Sequence, residues 1–334
     1  MDIRPFCDDH IIPAAELLAA RHRRHRQLCP LLPARFEDPA EARKALLTEW
    51  RKPWTSGATA FEAGRMLGYL FADAQFDELM GRSAWMRIAG HALADDVDAD
   101  LYHELYAAAA GEWLSLGCFN HYIQVMTVDR PVLDTWYALS FGQQQAHALR
   151  PILETDSNPI SPLPGVTIRQ AVPEDRQAFI EMARITAEYQ TQSPVWATLP
   201  PEIAAERPQM YAGVLDDEDA TLWLAFIGTQ VVGFQVYYPA EYNPDDMFIP
   251  EHTAELPAAA TRSEHRGLGI TRAISEFGFD YLRQEGFTYC LIDWRTTNPL
   301  ASRVWPRLGF EPVMYRLHRR IDERILWARS HRLT

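Results

Sequence analysis

The run Arg266-Gly267-Leu268-Gly269-Ile270-Thr271 is the stretch of this sequence best suited to chemistry on a phosphorylated ligand. Two glycines separated by one residue let main-chain N–H groups approach an anion without side-chain obstruction. The amphipathic segment that follows, to about Gln284, puts those groups at the start of a helix. A helix start offers unpaired donors and a favourable dipole, and Arg266 adds a cation for phosphate oxygens. A glycine pair in this position can equally be a turn that only packs. A dinucleotide-binding turn of the Rossmann kind is disfavoured, because the third glycine is missing and the flanking pattern is not a βαβ unit.

A helix start of this kind needs a sheet to carry it. Glu255 to Thr261 reads as the strand that leads into the turn. Upstream, Leu222-Trp223-Leu224-Ala225-Phe226 and Val231 to Tyr237 flank a turn at Gly228-Thr229-Gln230, which predicts an antiparallel pair. The first half of the chain shows the same device, with Ala58 to Phe61 and Leu67 to Phe71 around Ala63-Gly64-Arg65. The chain thus repeats itself once. Ile3-Arg4-Pro5 recurs as Ile168-Arg169-Gln170 after a proline- and serine-rich linker, Asp156 to Pro164. Each opening strand precedes a helix, marked by Ala14, Leu17 and Leu18 in one half and Phe179, Met182 and Ile185 in the other. One offset aligns Trp136-Tyr137-Ala138-Leu139-Ser140-Phe141 with Trp305-Pro306-Arg307-Leu308-Gly309-Phe310. The same offset sets Gly117 on Gly286, each predicted to close a helix, and Tyr122 to Met126 on Leu291 to Arg295. The expectation is two similar domains, 1–155 and 164–334, each an α/β fold on a mixed sheet.

A chain of 334 residues accommodates two such domains. No apolar run approaches the roughly 20 residues needed to span a bilayer, and Met1-Asp2-Ile3-Arg4-Pro5 does not open a signal peptide. The formal charge of −13 argues against a nucleic-acid partner. It is compatible with a cationic amine substrate, or simply with solubility. Cys7, Cys29, Cys118 and Cys290 lie far apart and read as reduced, mostly buried thiols of a cytoplasmic protein, and no metal site is assigned.

Arg266-x-x-Gly269-x-Thr271 resembles motif A (R/Q-x-x-G-x-G/A) of the GNAT superfamily of acyltransferases. Downstream, Asn298-Pro299-Leu300-Ala301-Ser302 followed by Trp305 to Phe310 resembles its motif B, N-x-x-A-x-x-x-Y-x-x-x-G-F. The resemblance covers about Pro164 to Arg320. It implies that the amides of Arg266, Gly267, Leu268, Gly269, Ile270 and Thr271 hold the diphosphate of acetyl-CoA. It implies that Ala259, Ala260 and Thr261, on a strand splayed from its neighbour, bond the pantetheine arm and supply a donor to the thioester oxygen. Asn298, Ser302 and Trp305 would sit near its sulfur end. Two positions depart from the pattern. Thr271 replaces the last small residue, its hydroxyl free to reach phosphate. Trp305 replaces a tyrosine, and an indole N–H is too weak an acid to protonate a leaving thiolate.

The implied reaction is direct transfer of an acetyl group to a primary amine of a small molecule or peptide, without a covalent enzyme intermediate. A non-catalytic acyl-CoA sensor or scaffold, and an acyltransferase using a longer acyl chain, are the alternatives. For the base, Glu255 is the first candidate, because a partly desolvated carboxylate there would have a raised pKa. Asp293 is the second and His252 the third, while Cys290 reads as core. The stretches from Tyr237 to Ile249 and around Tyr189, Trp196 and Tyr211 could wall the amine site. In the first half the turn falls on Val97-Asp98-Ala99-Asp100-Leu101-Tyr102, without a glycine and with two carboxylates where the diphosphate would bind. Asp100 is expected to cap a helix whose inner face is Leu101, Leu105, Ala108 and Ala109, and this half to bind no CoA and serve a structural role. The protein is expected to be a monomer or a homodimer.

Overall fold

The computed structural model describes every residue except 78–80, 158–162, 198–200, 242, 244 and 331–334. The interior of the expected linker therefore lies outside the described residues. In chain order the elements are β1 (Asp2–Pro5), α1 (Ile11–Leu28), α2 (Pro39–Trp50), β2 (Ser56–Glu62), β3 (Arg65–Asp77), β4 (Gly81–Met86), β5 (His91–Leu93), α3 (Leu101–Ser115), β6 (Asn120–Met126), α4 (Arg130–Ala138) and β7 (Gly142–Pro151). They continue with β8 (Val166–Gln170), α5 (Arg176–Thr191), α6 (Pro201–Gly213), β9 (Thr221–Ile227), β10 (Gln230–Pro239), β11 (Thr253–Thr261), α7 (Ile270–Gln284), β12 (Tyr289–Arg295), α8 (Ala301–Arg307), β13 (Glu311–Arg320) and α9 (Ile325–Ser330).

The repeat is local before it is global. α3 and α7, β6 and β12, and β7 and β13 are pairs of equal length that share one offset along the chain. Gly117 and Gly286 both take the left-handed conformation that closes a helix, at φ 77° and 82°. At each, the next N–H reaches back five residues: Cys118 to the Trp113 carbonyl at 3.0 Å and Phe287 to the Leu282 carbonyl at 2.9 Å. Trp136 meets Phe141 edge-on at 5.0 Å between ring centres, and Trp305 meets Phe310 in the same way at 5.8 Å. Ala63 and Gly64 both have positive φ, the two-residue turn that suits the twist of the β2–β3 hairpin.

The compact units do not end where the repeats end. The first comprises Met1–Ala146 with Tyr242–Ile249 and Val313–Thr334; the second comprises His147–Glu241 with Pro250–Pro312. In the first unit the strand order is β1-β2-β3-β4-β6-β13, with β5 paired to β3. There β13 runs antiparallel to β6, from Met314 opposite Met126 to Arg320 opposite Asn120. In the second unit the order is β12-β11-β10-β9-β8. One face of that sheet packs Phe234, Val236, Leu222 and Leu224 against Phe179 and Met182 of α5. The other packs Val232 and Ala225 against Ile270 and Ile274 of α7.

Two details differ from the sequence reading. Ala108 is exposed: the buried stripe of α3 runs through Tyr102, Leu105, Tyr106, Ala109 and Trp113, and Ala108 lies on its solvent edge. Of the cysteines, Cys118 and Cys290 are buried, whereas Cys29 is half-buried and Cys7 exposed.

Residues 1–155 alone lack β13, and 164–334 alone lack the end of β7. Both fragments are expected to be insoluble or unfolded by circular dichroism when expressed separately; a cooperative melt from either alone would refute this. The first unit also holds buried neutral histidines. Burial lowers His91 to about 3 and His22 and His121 to about 4, from an ordinary value of 6.5. The unfolded chain takes up these protons below about pH 6.5 and the folded chain does not, so stability falls as pH drops from there towards about 4. The melting temperature should be lower at about pH 5 than at about pH 7, and a flat profile would count against it.

Candidate active site

The site begins with a strand that stops pairing on one side. β11 runs antiparallel to β10 from Ala254, opposite Pro239, to Thr261, opposite Gly233. With β12 it pairs in parallel only at Thr253, Ala254 and Glu255, opposite Tyr289, Cys290 and Leu291. The β10 register passes from Tyr238 opposite Glu255 to Val236 opposite Ala258, so Leu256 and Pro257 share one partner residue. That is a β-bulge, a place where a strand tolerates proline. Pairing with β12 ends where the bulge begins, leaving a fork. The N–H of Arg262 donates to the Val232 carbonyl at 2.9 Å. Antiparallel alternation then turns the main-chain groups of Ala258 and Ala260 to β10 and those of Ala259 and Thr261 to the open side. Of the three residues read from the sequence, Ala259 and Thr261 present main-chain groups to the fork.

The second part is the start of α7. Gly267 and Gly269 are left-handed, at φ 79° and 85°. A Cβ at Gly267 would touch nothing within 4 Å, so there the backbone conformation, not space, calls for glycine. The N–H of Arg266 donates to Ser263, and that of Ala273 donates to Gly269. Between them, the N–H groups of Gly267 to Thr271 have no main-chain partner among the described residues. Gly267, Leu268 and Gly269 are exposed. The Thr271 hydroxyl, read from the sequence as available to phosphate, lies 2.9 Å from the Thr261 hydroxyl and ties the helix to the strand. The Thr271 carbonyl accepts from the buried Gln235 amide at 3.1 Å and from the Ser275 hydroxyl at 2.9 Å. Arg266 lies over the Tyr189 ring at 5.1 Å, and its Nε points to the Thr261 carbonyl at 3.4 Å.

The carboxylates follow from strand period. Glu255 pairs beside Leu291, so it shares a face with Leu291, Asp293 and Arg295. Its other neighbour, Tyr238, packs with the α5-side cluster, which makes this the α5 face. Glu255 is half-buried; loss of solvent, and secondarily the charge of Asp293, raise its carboxyl above the ordinary range. Asp293 is exposed. Cys290 is fully buried on the opposite face, and burial pushes its thiol far up, as befits a core residue. His252 is exposed and left-handed, and its carbonyl accepts from Thr288 at 2.9 Å, the work of a turn.

Beyond β12, the side chain of Asn298 accepts from Leu300 and Ala301 at 3.1 and 3.2 Å, and so caps α8. The Ser302 hydroxyl points to the Thr296 carbonyl at 3.3 Å. Trp305, placed near the cofactor by resemblance, is only 7% exposed and packs on Phe310. In the stretch from Tyr237 to Ile249, Asp245 and Asp246 are engaged by other residues of the protein. Asp246 accepts from the N–H groups of Phe248 and Ile249 at 3.0 and 3.3 Å, and burial raises it to about 6. Thr48 bonds Asp245, Met247 and Phe248 are buried, and Tyr242 lies outside the described residues. Sequence reasoning missed the Tyr189 support, the Gln235 tie and Arg295; a period-two reading from Asp293 would have found Arg295.

The first unit lacks these openings. At the start of α3, Leu101, Tyr102 and His103 donate to the carbonyls of Asp98, Ala99 and Asp100, and the Asp100 N–H donates to the Asp98 carboxylate at 2.9 Å. The donors that align with those of Gly269, Ile270 and Thr271 are therefore occupied. Asp100 stands at the helix start, but its side chain makes no capping bond; Asp98 supplies the carboxylate. Where β4 gives way to β5, the guanidinium of Arg21 bonds the carbonyls of Ile88 and His91, and the His91 ring bonds the Gln124 carbonyl of β6 at 2.9 Å. Side chains fill this fork.

An open fork thus lies beside helix-start amides that have no main-chain partner among the described residues. Residues 181–310, within the second half of the chain, match the model of the Acetyltransferase (GNAT) family. Over 97 residues the chain is 28% identical to N-acetyltransferase 8B of Rattus norvegicus, a stretch that is 29% of this chain and 42% of that protein, so it spans less than half of that relative. Over 95% of its length and 94% of the other, at 14% identity and a TM-score of 0.54, it shares the fold of a GCN5-related N-acetyltransferase from Sphaerobacter thermophilus. A tandem GNAT protein from the clavulanic acid biosynthesis pathway superposes at a TM-score of 0.48, with 14% identity over 96% of this chain and 98% of that one.

Gly269→Val forces a β-branched residue into a left-handed position and should weaken acetyl-CoA binding by at least about a hundredfold in calorimetry. Asp100→Ala should leave the affinity unchanged. Loss of binding in Asp100→Ala would put the cofactor in the wrong half.

Proposed function

We propose that this protein transfers the acetyl group of acetyl-CoA to a primary amine of a small molecule or peptide by direct attack, using only its second half. The observation that carries this reading is the set of N–H groups from Gly267 to Thr271 without main-chain partners, exposed at Gly267 to Gly269, beside the unpaired edge of β11. A helix start with five open donors suits a diphosphate, and the fork suits an extended amide-bearing arm. The residues present fit this cofactor, which supplies a thioester carbonyl as electrophile and a thiolate as leaving group.

The chain's own contribution divides by element. The amides of Gly267 to Thr271 hold the diphosphate, and Arg266, supported by Tyr189, lies beside them. The main-chain groups of Ala259 and Thr261 line the fork, where an N–H can donate to an amide or to the thioester oxygen. Glu255 sits where the fork opens and takes the proton that the amine must lose before it attacks. Its raised pKa improves it as a base, and exposed Asp293 adds a negative charge that draws in an ammonium. Buried Cys290 supports a route without a covalent enzyme intermediate. The four unbridged cysteines support a cytoplasmic setting.

Glu255→Gln should lower kcat by about 10²- to 10⁴-fold with little change in acetyl-CoA affinity. In the wild type, kcat/KM should rise with pH through an apparent pKa above the ordinary carboxylate value, since protonated Glu255 is inactive as a base; the variant should lose that limb. An unaltered rate and profile would move the base elsewhere. Tight acetyl-CoA binding with no CoA release on any amine would favour the acyl-CoA sensor.

A further inference from the structure

On the α5 face of the second unit lies a pocket of about 410 Å³, formed by α5, α6 and the end of β12. Its walls include Ile180, Ala183 and Tyr211, with three charged residues, Arg184, Glu188 and Arg295. Two guanidiniums against one carboxylate make it locally positive in a chain of net charge −13. Four other arginines of this unit form ion pairs: Arg169 with Asp175, Arg176 with Asp216, Arg272 with Glu276 and Arg283 with Asp280. The guanidiniums of Arg184 and Arg295 have no ion pair or hydrogen bond among the described residues, although Glu188 lies one helical turn from Arg184.

The pocket shares Arg295 with the β12 face that carries Asp293. Arg295 follows Asp293 on the same face of β12, and Glu255 stands on that face across the pairing. α5 serves both sites. Tyr189 supports Arg266 on the phosphate side, and Arg184 faces the pocket five residues earlier, about 7.5 Å of helix. An isolated cation can come from any lysine or arginine, but two arginines on different elements converging on one pocket suit the planar, two-oxygen geometry of a carboxylate.

We propose that the acceptor is an amine that also carries a carboxylate, of the amino-acid class, held by Arg184 and Arg295 with its amine directed along the β12 face to Glu255 and Asp293. Ile180, Ala183 and Tyr211 receive its apolar part. This inference rests on the acetyl-transfer reading and names its acceptor class.

The test uses the full chain with acetyl-CoA and follows CoA release with free amino acids, their carboxamides and carboxyl-free diamines such as spermidine. At least one amino acid should be acetylated with kcat/KM at least tenfold above its own carboxamide. Arg184→Ala and Arg295→Ala should each raise KM for that amino acid by about 10- to 100-fold and erase the preference over the carboxamide. Lysine at either position should restore part of it, and acetyl-CoA affinity by calorimetry should not change. The inference is overturned if carboxamides or diamines are acetylated as well as amino acids, if neither alanine variant alters the preference, or if no amino acid is a substrate. Acetylation confined to diamines would sink this inference and leave acetyl transfer standing, whereas failure to bind acetyl-CoA would sink the transfer reading itself.

Discussion

The second half of this protein depends on main-chain hydrogen-bonding groups that are deliberately left without partners. Unpaired N–H and C=O groups are costly when buried and tolerable only where water or a ligand can reach them. Here they are concentrated in two adjoining places, the start of α7 and the free edge of β11. The neighbouring structure keeps them open. The bulge at Leu256 and Pro257 ends the pairing with β12, and two left-handed glycines carry the chain into the helix. Gln235, Ser275 and the Thr261–Thr271 hydroxyl contact fix the first turn without consuming its donors.

The two halves make a controlled comparison. Their helices, strands and helix-closing glycines coincide, and each has a tryptophan meeting a phenylalanine edge-on. They differ in how the same polar groups are satisfied. At α3 the chain turns on itself, and Asp98 and its neighbours accept the early N–H bonds. At α7 the equivalent donors face solvent. The two helix starts thus differ in local hydrogen bonding on a frame of matching elements.

What the sequence revealed was mostly short-range. Glycines that need positive φ, the hairpin turns and the shared offset were readable because each depends on a few adjacent residues. The burial of Trp305, the exposure of Ala108 and the buried state of Asp246 were not, since they depend on what packs against them from far along the chain. Asp98, not Asp100, bonds the early N–H of α3, a two-residue difference that composition cannot resolve. The fork in the first unit was invisible for the same reason, because its filler, Arg21, comes from a helix some seventy positions away from His91. The bulge explains why Pro257, at odds with an interior strand, sits where it does.

Arg21 also bears on the history of the duplication. Its guanidinium is nearly inaccessible and satisfies two carbonyls at the point where the sheet divides. Reinstating glycines near Asp98 would not reopen that division, because the arginine would still occupy it. Removing the arginine first would orphan those carbonyls and leave His91 without its neighbour, a cost of about 1–3 kcal/mol for each stranded group. Either change alone is useless or harmful, so this division of the sheet works as a ratchet: with an internal cation satisfying its carbonyls, it does not open by single steps.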